Sequence, residues 1–243
     1  MSEKASFAQK LKDQFSTKSL VLIPIAVGIN LIGGTLCSML KLPLFLDTIG
    51  TLVVACLSGP WVAALTGLLT NVFLAIVANP VNFPYAIVSV LVGLTAGYMA
   101  RAGFFNKKSG IVAVWLAVTL VNAVSAALIT SFVFGGATGI NGTSVVTAAL
   151  VVALQDVLLS VFSSAILENL LDKGISVLIA YTIWRKIPRR LVSQYAMAGI
   201  AGGDAAATSA DANEDDDFYL DDEDDDFDLD DEDDDFDLDD EGL

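Results

Sequence analysis

The sequence predicts an all-α membrane protein, a polytopic bundle of about six transmembrane helices followed by a disordered acidic tail. Three observations predict it: apolar runs long enough to cross a bilayer, basic residues gathered between alternate runs, and an abrupt change to polyanion near residue 202. Of the 243 residues, 54% are hydrophobic, and mean hydropathy is +0.65. An ordinary soluble domain is roughly 45–50% apolar. The formal net charge of −16 averages two unlike parts. Residues 1–203 hold 13 basic and 6 acidic residues, and residues 204–243 hold 23 acidic residues and no base.

Residues 1–18 place Phe7, Leu11 and Phe15 four apart, with Lys4, Lys10, Lys12 and Lys18 around them. That pattern suits a short amphipathic helix on the cytoplasmic membrane surface. The run 20–40 follows; as a helix it would rise about 31 Å, enough to cross hydrocarbon. It exceeds the h-region of a signal peptide, and no small-residue cleavage site follows promptly. Runs at 44–58, 61–79, 84–100 and 110–134 give four further spans. Residues 144–156 are expected to form an outer, partly buried segment, with the sixth span over about 160–187.

Charge placement supports this count. Lys4 to Lys18 precede the first span; Arg101, Lys107 and Lys108 follow the fourth; Arg185, Lys186, Arg189 and Arg190 follow the sixth. With both termini inside, 11 of the 13 basic residues face the cytoplasm, and Lys41 and Lys173 do not. The positive-inside rule favours that arrangement over seven spans. Trp61 then lies near the cytoplasmic end and reads as an interface anchor.

Small residues recur at helical spacing: Gly59, Ala63 and Gly67 leading to Asn71; Gly93 and Gly97; and Ala26, Asn30, Gly34 and Ser38. Such stripes let membrane helices approach closely, inside one bundle or against a partner. The tail repeats DDEDDDFDL at 221–229 and 230–238. Its charge density precludes a core, so 191–243 is expected to be disordered. Its regularly spaced Phe218, Phe227 and Phe236 are possible docking anchors on an otherwise solvated polyanion.

Several chemistries are excluded. The chain has no histidine, so no Ser-His or Cys-His pair is available. Cys37 and Cys56 sit in apolar runs and read as small hydrophobes. No phosphate-binding G-x-x-x-x-G-K-[ST] occurs, so ATP hydrolysis is not expected of this chain. No enzyme activity, metal site, cofactor or nucleic-acid partner is expected.

Polar groups inside spans are costly and mark functional candidates. Asp47 opens the second span; Asn71 lies in the third, with Asn82, Phe83 and Tyr85 just after it; Asn122 is central in the fifth. Asn141 lies in FGGATGINGTS, and Gln155 and Asp156 follow in the outer segment. The densest group is Glu168, Asn169, Asp172 and Lys173, whose i,i+4 pairs share helix faces. They suit a polar wall of an outward-facing pocket, with Phe83 and Tyr85 as stacking surface.

The stretch LPLFLDTIGTLVVACLSGPWVAALTGLLTN at 42–71, with LENLLDKGISVLIAYTIWRKIPRR at 167–190, resembles substrate-binding S components of energy-coupling factor (ECF) transporters. The likeness covers most of 18–190. A similar segment serves as the sensor region of certain histidine kinases, but no kinase domain is expected here. The resemblance implies a six-helix domain at 19–190 that captures a vitamin, a precursor or a nucleobase-like compound from outside. Partners would be a membrane coupling protein and two cytoplasmic ATPases, in a prokaryotic plasma membrane. It implies substrate contacts at Glu168, Asn169, Asp172 and Lys173, and a docking face at Ala26, Asn30 and Gly34, where Asn30 replaces a usual alanine. A stand-alone transporter or channel, and a membrane anchor or sensor displaying the acidic tail, are the competing readings.

Overall fold

A computed structural model describes residues 14–139 and 142–197. Most of the N-terminal amphipathic segment, Asn141 and the repeated units of the tail lie outside the described residues.

The described elements are helices, joined by short turns. They are α1 (Thr17–Met39), α2 (Ile49–Ser58), α3 (Pro60–Val77), α4 (Ala86–Arg101), α5 (Lys108–Phe132), α6 (Thr143–Leu154), α7 (Val157–Lys186) and α8 (Arg189–Val192). Single 3₁₀ turns at Pro80–Asn82 and Phe104–Asn106 flank α4. Local chemistry sets the boundaries. Ser16 caps α1 by accepting the Ser19 N–H at 3.2 Å. Gly59, with φ of 91°, breaks α2 from α3, and Pro60 opens α3 where its missing N–H costs nothing. Asp156 caps α7 by accepting the Leu159 N–H at 3.0 Å.

Helices α1, α3 and α5 are each long and apolar enough to cross a membrane. Helix α7 has 30 residues, about 45 Å of rise, and carries the buried charges. The expected second span is corrected: residues 41–48 form a non-helical loop, and α2 is only ten residues long. The early half of that run is drawn out of helix by contacts described below. Helix α6 is a separate element of 12 residues, about 18 Å long and short of the roughly 30 Å hydrocarbon layer. The helix expected as the sixth span starts at Val157 rather than 160 because Asp156 supplies its cap.

The distribution of polarity is that of a protein surrounded by lipid. On α5, Val112, Leu116, Leu120, Val124 and Leu128 form an exposed stripe four residues apart; on α1, Val21, Ile25, Ile32 and Leu36 are exposed at spacings of four and seven. Asn30, Thr51, Thr66, Thr70, Asn71, Asn169, Asp172 and Lys173 are buried. Apolar faces outward and polar groups inward suit hydrocarbon, where only internally bonded polar groups are tolerated. The protein is therefore a membrane-embedded helical bundle.

Small residues pack it. A Cβ on Gly93 would meet the Ala63 carbonyl at 2.7 Å, and one on Gly67 the Ser89 carbonyl at 2.6 Å; Gly97 lies on the backbone of Pro60. The α3–α4 glycines thus serve packing within the chain. The α1 stripe, expected as a docking face, also makes contacts within the chain. Ala26 abuts Gly50, and Asn30 is fully buried. Asn30 donates to Thr51 Oγ1 at 2.9 Å and Thr70 Oγ1 at 3.0 Å, and accepts the Gly50 N–H at 2.7 Å. Gly34 is half-buried against Leu74 and Asp47. The asparagine points its amide at α2 and α3 because no other partner for it exists in hydrocarbon.

Residues 191–197, read from sequence as the start of the tail, pack on the body. Buried Met197 donates its N–H to the Leu57 carbonyl at 3.1 Å, and Lys18 donates to Gln194 Oε1 at 2.8 Å. Trp61, whose N–H donates to Gln14 Oε1 at 3.3 Å, lies at this same end.

Candidate functional site

The site is assembled around the middle of α7. Asp172 Oδ1 accepts the N–H groups of both Phe45 and Leu46 at 2.8 Å. These bonds compensate an unfavourable backbone, since Leu46 has a φ of 47°, a region bulky residues rarely enter. The Leu46 carbonyl comes so close to Gly33 of α1 that any Cβ there would collide with it. The other Asp172 oxygen accepts from Lys173 Nζ at 2.7 Å. Lys173 also donates to Thr48 Oγ1 at 3.3 Å and lies 3.6 Å from Asp47 Oδ1. Asp172 and Lys173, 0% and 1% exposed, thereby fasten the 41–48 loop over the bundle.

Behind that loop lies a cavity of about 90 Å³, several times the space one water molecule requires. Helix α7 contributes Ser164, Glu168, Asn169 and Lys173; α5 contributes Asn122 and Thr130; α3 contributes Asn71; α4 contributes Ser89, with Tyr85 just before it. The wall is cross-bonded. Asn122 donates its amide N–H to Asn169 Oδ1, Asn71 donates to Ser89 Oγ, and Asn169 Nδ2 bonds the Ala165 carbonyl at 2.8 Å. Ser164 donates to Glu168 Oε1 at 2.7 Å and meets Thr147 Oγ1 of α6 at 2.8 Å, so α6 is tied to the Glu168 carboxylate through one hydroxyl. Tyr85 stacks on Phe134 at 5.9 Å between centroids and shares a 2.7 Å hydrogen bond with Thr130.

Of the nine residues singled out from sequence for a binding site, eight line this cavity: Asp47, Asn71, Asn82, Tyr85, Asn122, Glu168, Asn169 and Lys173. Asp172 does not line it and holds the loop instead. Phe83, expected to stack beside Tyr85, is 62% exposed; the ring that stacks there is Phe134. Gln155 and Asp156 serve the α6–α7 boundary, Gln155 in a left-handed turn with φ of 54°. Sequence reasoning missed Phe45, Ser89, Thr130, Thr147 and Ser164, which also line the cavity. Only Ser164 carried a signal, one helical turn before Glu168. Among the described residues no group of three or more His, Cys, Asp or Glu side chains is placed to hold a metal ion.

A space of this size, with two carboxylates, one ammonium, several amides and an aromatic flank, can hold a small polar molecule and fix its orientation. Comparison with known proteins bears on what kind of protein holds it. The family model described as "ECF transporter, substrate-specific component" matches residues 18–203. No curated protein and no solved structure gave a match. The matched segment contains every residue of the cavity and of the loop that covers it. The chain belongs to the substrate-specific components of ECF transporters.

Proposed function

We propose that this chain captures a small micronutrient (a vitamin, a precursor or a nucleobase-like compound) from outside a prokaryotic plasma membrane. Import is driven by two cytoplasmic ATPases acting through a membrane coupling protein. The observation that carries the reading is a cavity bearing charged and amide side chains within a bundle whose outer faces are apolar. In hydrocarbon a polar cavity of this kind costs stability, so it is retained for what it binds.

In this reading Asp47, Asn71, Asn82, Tyr85, Asn122, Glu168, Asn169 and Lys173 contact the substrate. Asp172 contributes indirectly, by keeping the 41–48 loop closed across it. Both termini are cytoplasmic, which places Arg101, Lys107, Lys108 and the Arg185–Arg190 cluster inside. The subunit binds from outside, rotates in the membrane and releases its ligand inside. Without a P-loop of its own, it depends on partners for ATP hydrolysis.

The test is affinity purification of the tagged chain from its native membrane, with mass spectrometry of proteins and bound small molecules. The importer reading expects a membrane coupling protein, two ATPases and a retained metabolite. Recovery of the chain alone, with uptake that needs no ATP, would establish a solitary transporter. A soluble basic partner lost on deletion of the acidic tail would establish a tethered interaction module.

A further inference from the structure

We infer that the cavity selects a small organic cation bearing N–H donors on a planar frame, rather than an anion; this names the substrate class of the capture reading above and rests on it. The argument is one of charge balance. Asp47, Glu168 and Lys173 line the cavity, and Asp172 stands directly behind Lys173. The single ammonium is already shared, 2.7 Å from Asp172 and 3.6 Å from Asp47. Glu168, 7% exposed, receives a neutral donor, the Ser164 hydroxyl, and both ion pairs between described residues belong to Lys173. Asp47 and Asp172 thus share Lys173, and the Glu168 carboxyl is left with a neutral donor alone in a poorly screened setting.

A buried carboxylate without a cation is costly, and a cationic ligand placed against Glu168 removes that cost. An anionic ligand would have to compete with Asp47 and Asp172 for the Lys173 ammonium. A metal ion does not restore the balance, because no three carboxylates converge on one point among the described residues. The neutral part of the wall agrees. Asn71 and Asn122 donate to Ser89 and Asn169, and no hydrogen bond from a described residue reaches the carbonyl oxygen of either. Those oxygens are acceptors for N–H donors on a ligand. The Tyr85–Phe134 stack, only 4° from parallel, offers a flat flank that suits a planar or aromatic cation.

The test uses three probes of one size and shape, benzamidinium, benzamide and benzoate, titrated calorimetrically into the full-length protein in lipid nanodiscs. Benzamidinium is expected to bind about tenfold or more tighter than benzamide, as a charge-assisted hydrogen bond outweighs a neutral one. Benzoate is expected to bind weakest. In Glu168→Gln the preference of benzamidinium over benzamide collapses. Benzoate binding as tightly as benzamidinium, absence of saturable benzamidinium binding at millimolar concentration, or a preference unchanged in Glu168→Gln overturns the inference. The wild-type order decides the matter even where the variant does not fold. The assay involves no ATPase: charge preference without ATP-driven uptake removes the importer reading and keeps this one, and ATP-driven uptake of an anion does the reverse.

Discussion

Two buried polar clusters lie within this bundle, and they differ in how fully the protein satisfies them. Around Asn30, both hydrogens of one amide go to Thr51 and Thr70, and its oxygen takes the Gly50 N–H. Around Glu168 and Lys173, the protein supplies fewer cations than carboxylates and leaves about 90 Å³ of space. The first cluster is closed and acts as a clasp among α1, α2 and α3. The second is open, with acceptors facing a cavity. A membrane protein retains polar groups for both reasons, and their burial alone does not separate them; what remains unsatisfied does.

Lys173→Met is the largest expected break in this contrast. It removes the one cation between Asp47 and Asp172 and leaves two carboxylates buried together. Loss of one partner of a buried ion pair costs about 3–5 kcal/mol. The expected outcome is a low folded yield and a large drop in melting temperature in detergent, with ligand binding abolished. A stable Lys173→Met protein would mean that the loop is held by the Asp172 hydrogen bonds alone.

Asn30→Ala is expected to lower stability by about 2 kcal/mol, because Gly50 N–H and two threonine hydroxyls lose a partner where water has no access. Ligand affinity of the folded fraction should stay at the wild-type value, measured by calorimetry beside a denaturant melt. Asn122→Ala is the matched change in the open cluster. Its partner Asn169 borders the cavity, so water can replace the lost amide, and stability should fall by less than about 1 kcal/mol. Affinity should fall instead, about fivefold for one hydrogen bond of roughly 1 kcal/mol. Equal stability losses in the two variants would erase the distinction between clasp and site.

Much of this was legible in the sequence because the chain is so apolar. Against 54% hydrophobic residues, an Asn, Asp, Glu or Lys inside a span stands out, and eight of nine so chosen surround one cavity. The same signal could not name the partners of Asn30, since periodicity shows that a stripe is small but not which neighbour it faces. It also could not separate Asp172 from Lys173. They are adjacent on α7, yet Lys173 lines the cavity while Asp172 caps the backbone of the 41–48 loop, at Leu46 126 residues before it in sequence. The non-helical 41–48 loop was hidden by its own apolarity, because a run such as LPLFL reads as span until its N–H groups find a carboxylate. The serines and threonines of the wall gave no warning, as these residues commonly bond their own helix backbone, as Thr66 and Thr70 do.

The smallest predicted effect tests the aromatic side of the cavity, where sequence and structure disagree. Phe83 and Tyr85 are two residues apart after the same span, and sequence treats them alike. Phe83 is 62% exposed, whereas Tyr85 is anchored to Thr130 and stacked on Phe134. Phe83→Ala should leave ligand affinity unchanged and shift stability by no more than about 0.5 kcal/mol, as for an exposed position without special contacts. Tyr85→Phe keeps the ring and the stack but deletes the hydroxyl, so affinity should fall about two- to fivefold through a looser cavity wall. A Phe83→Ala loss equal to that of Tyr85→Phe would mean that Phe83 folds inward over bound ligand, and that the aromatic flank has two rings rather than one.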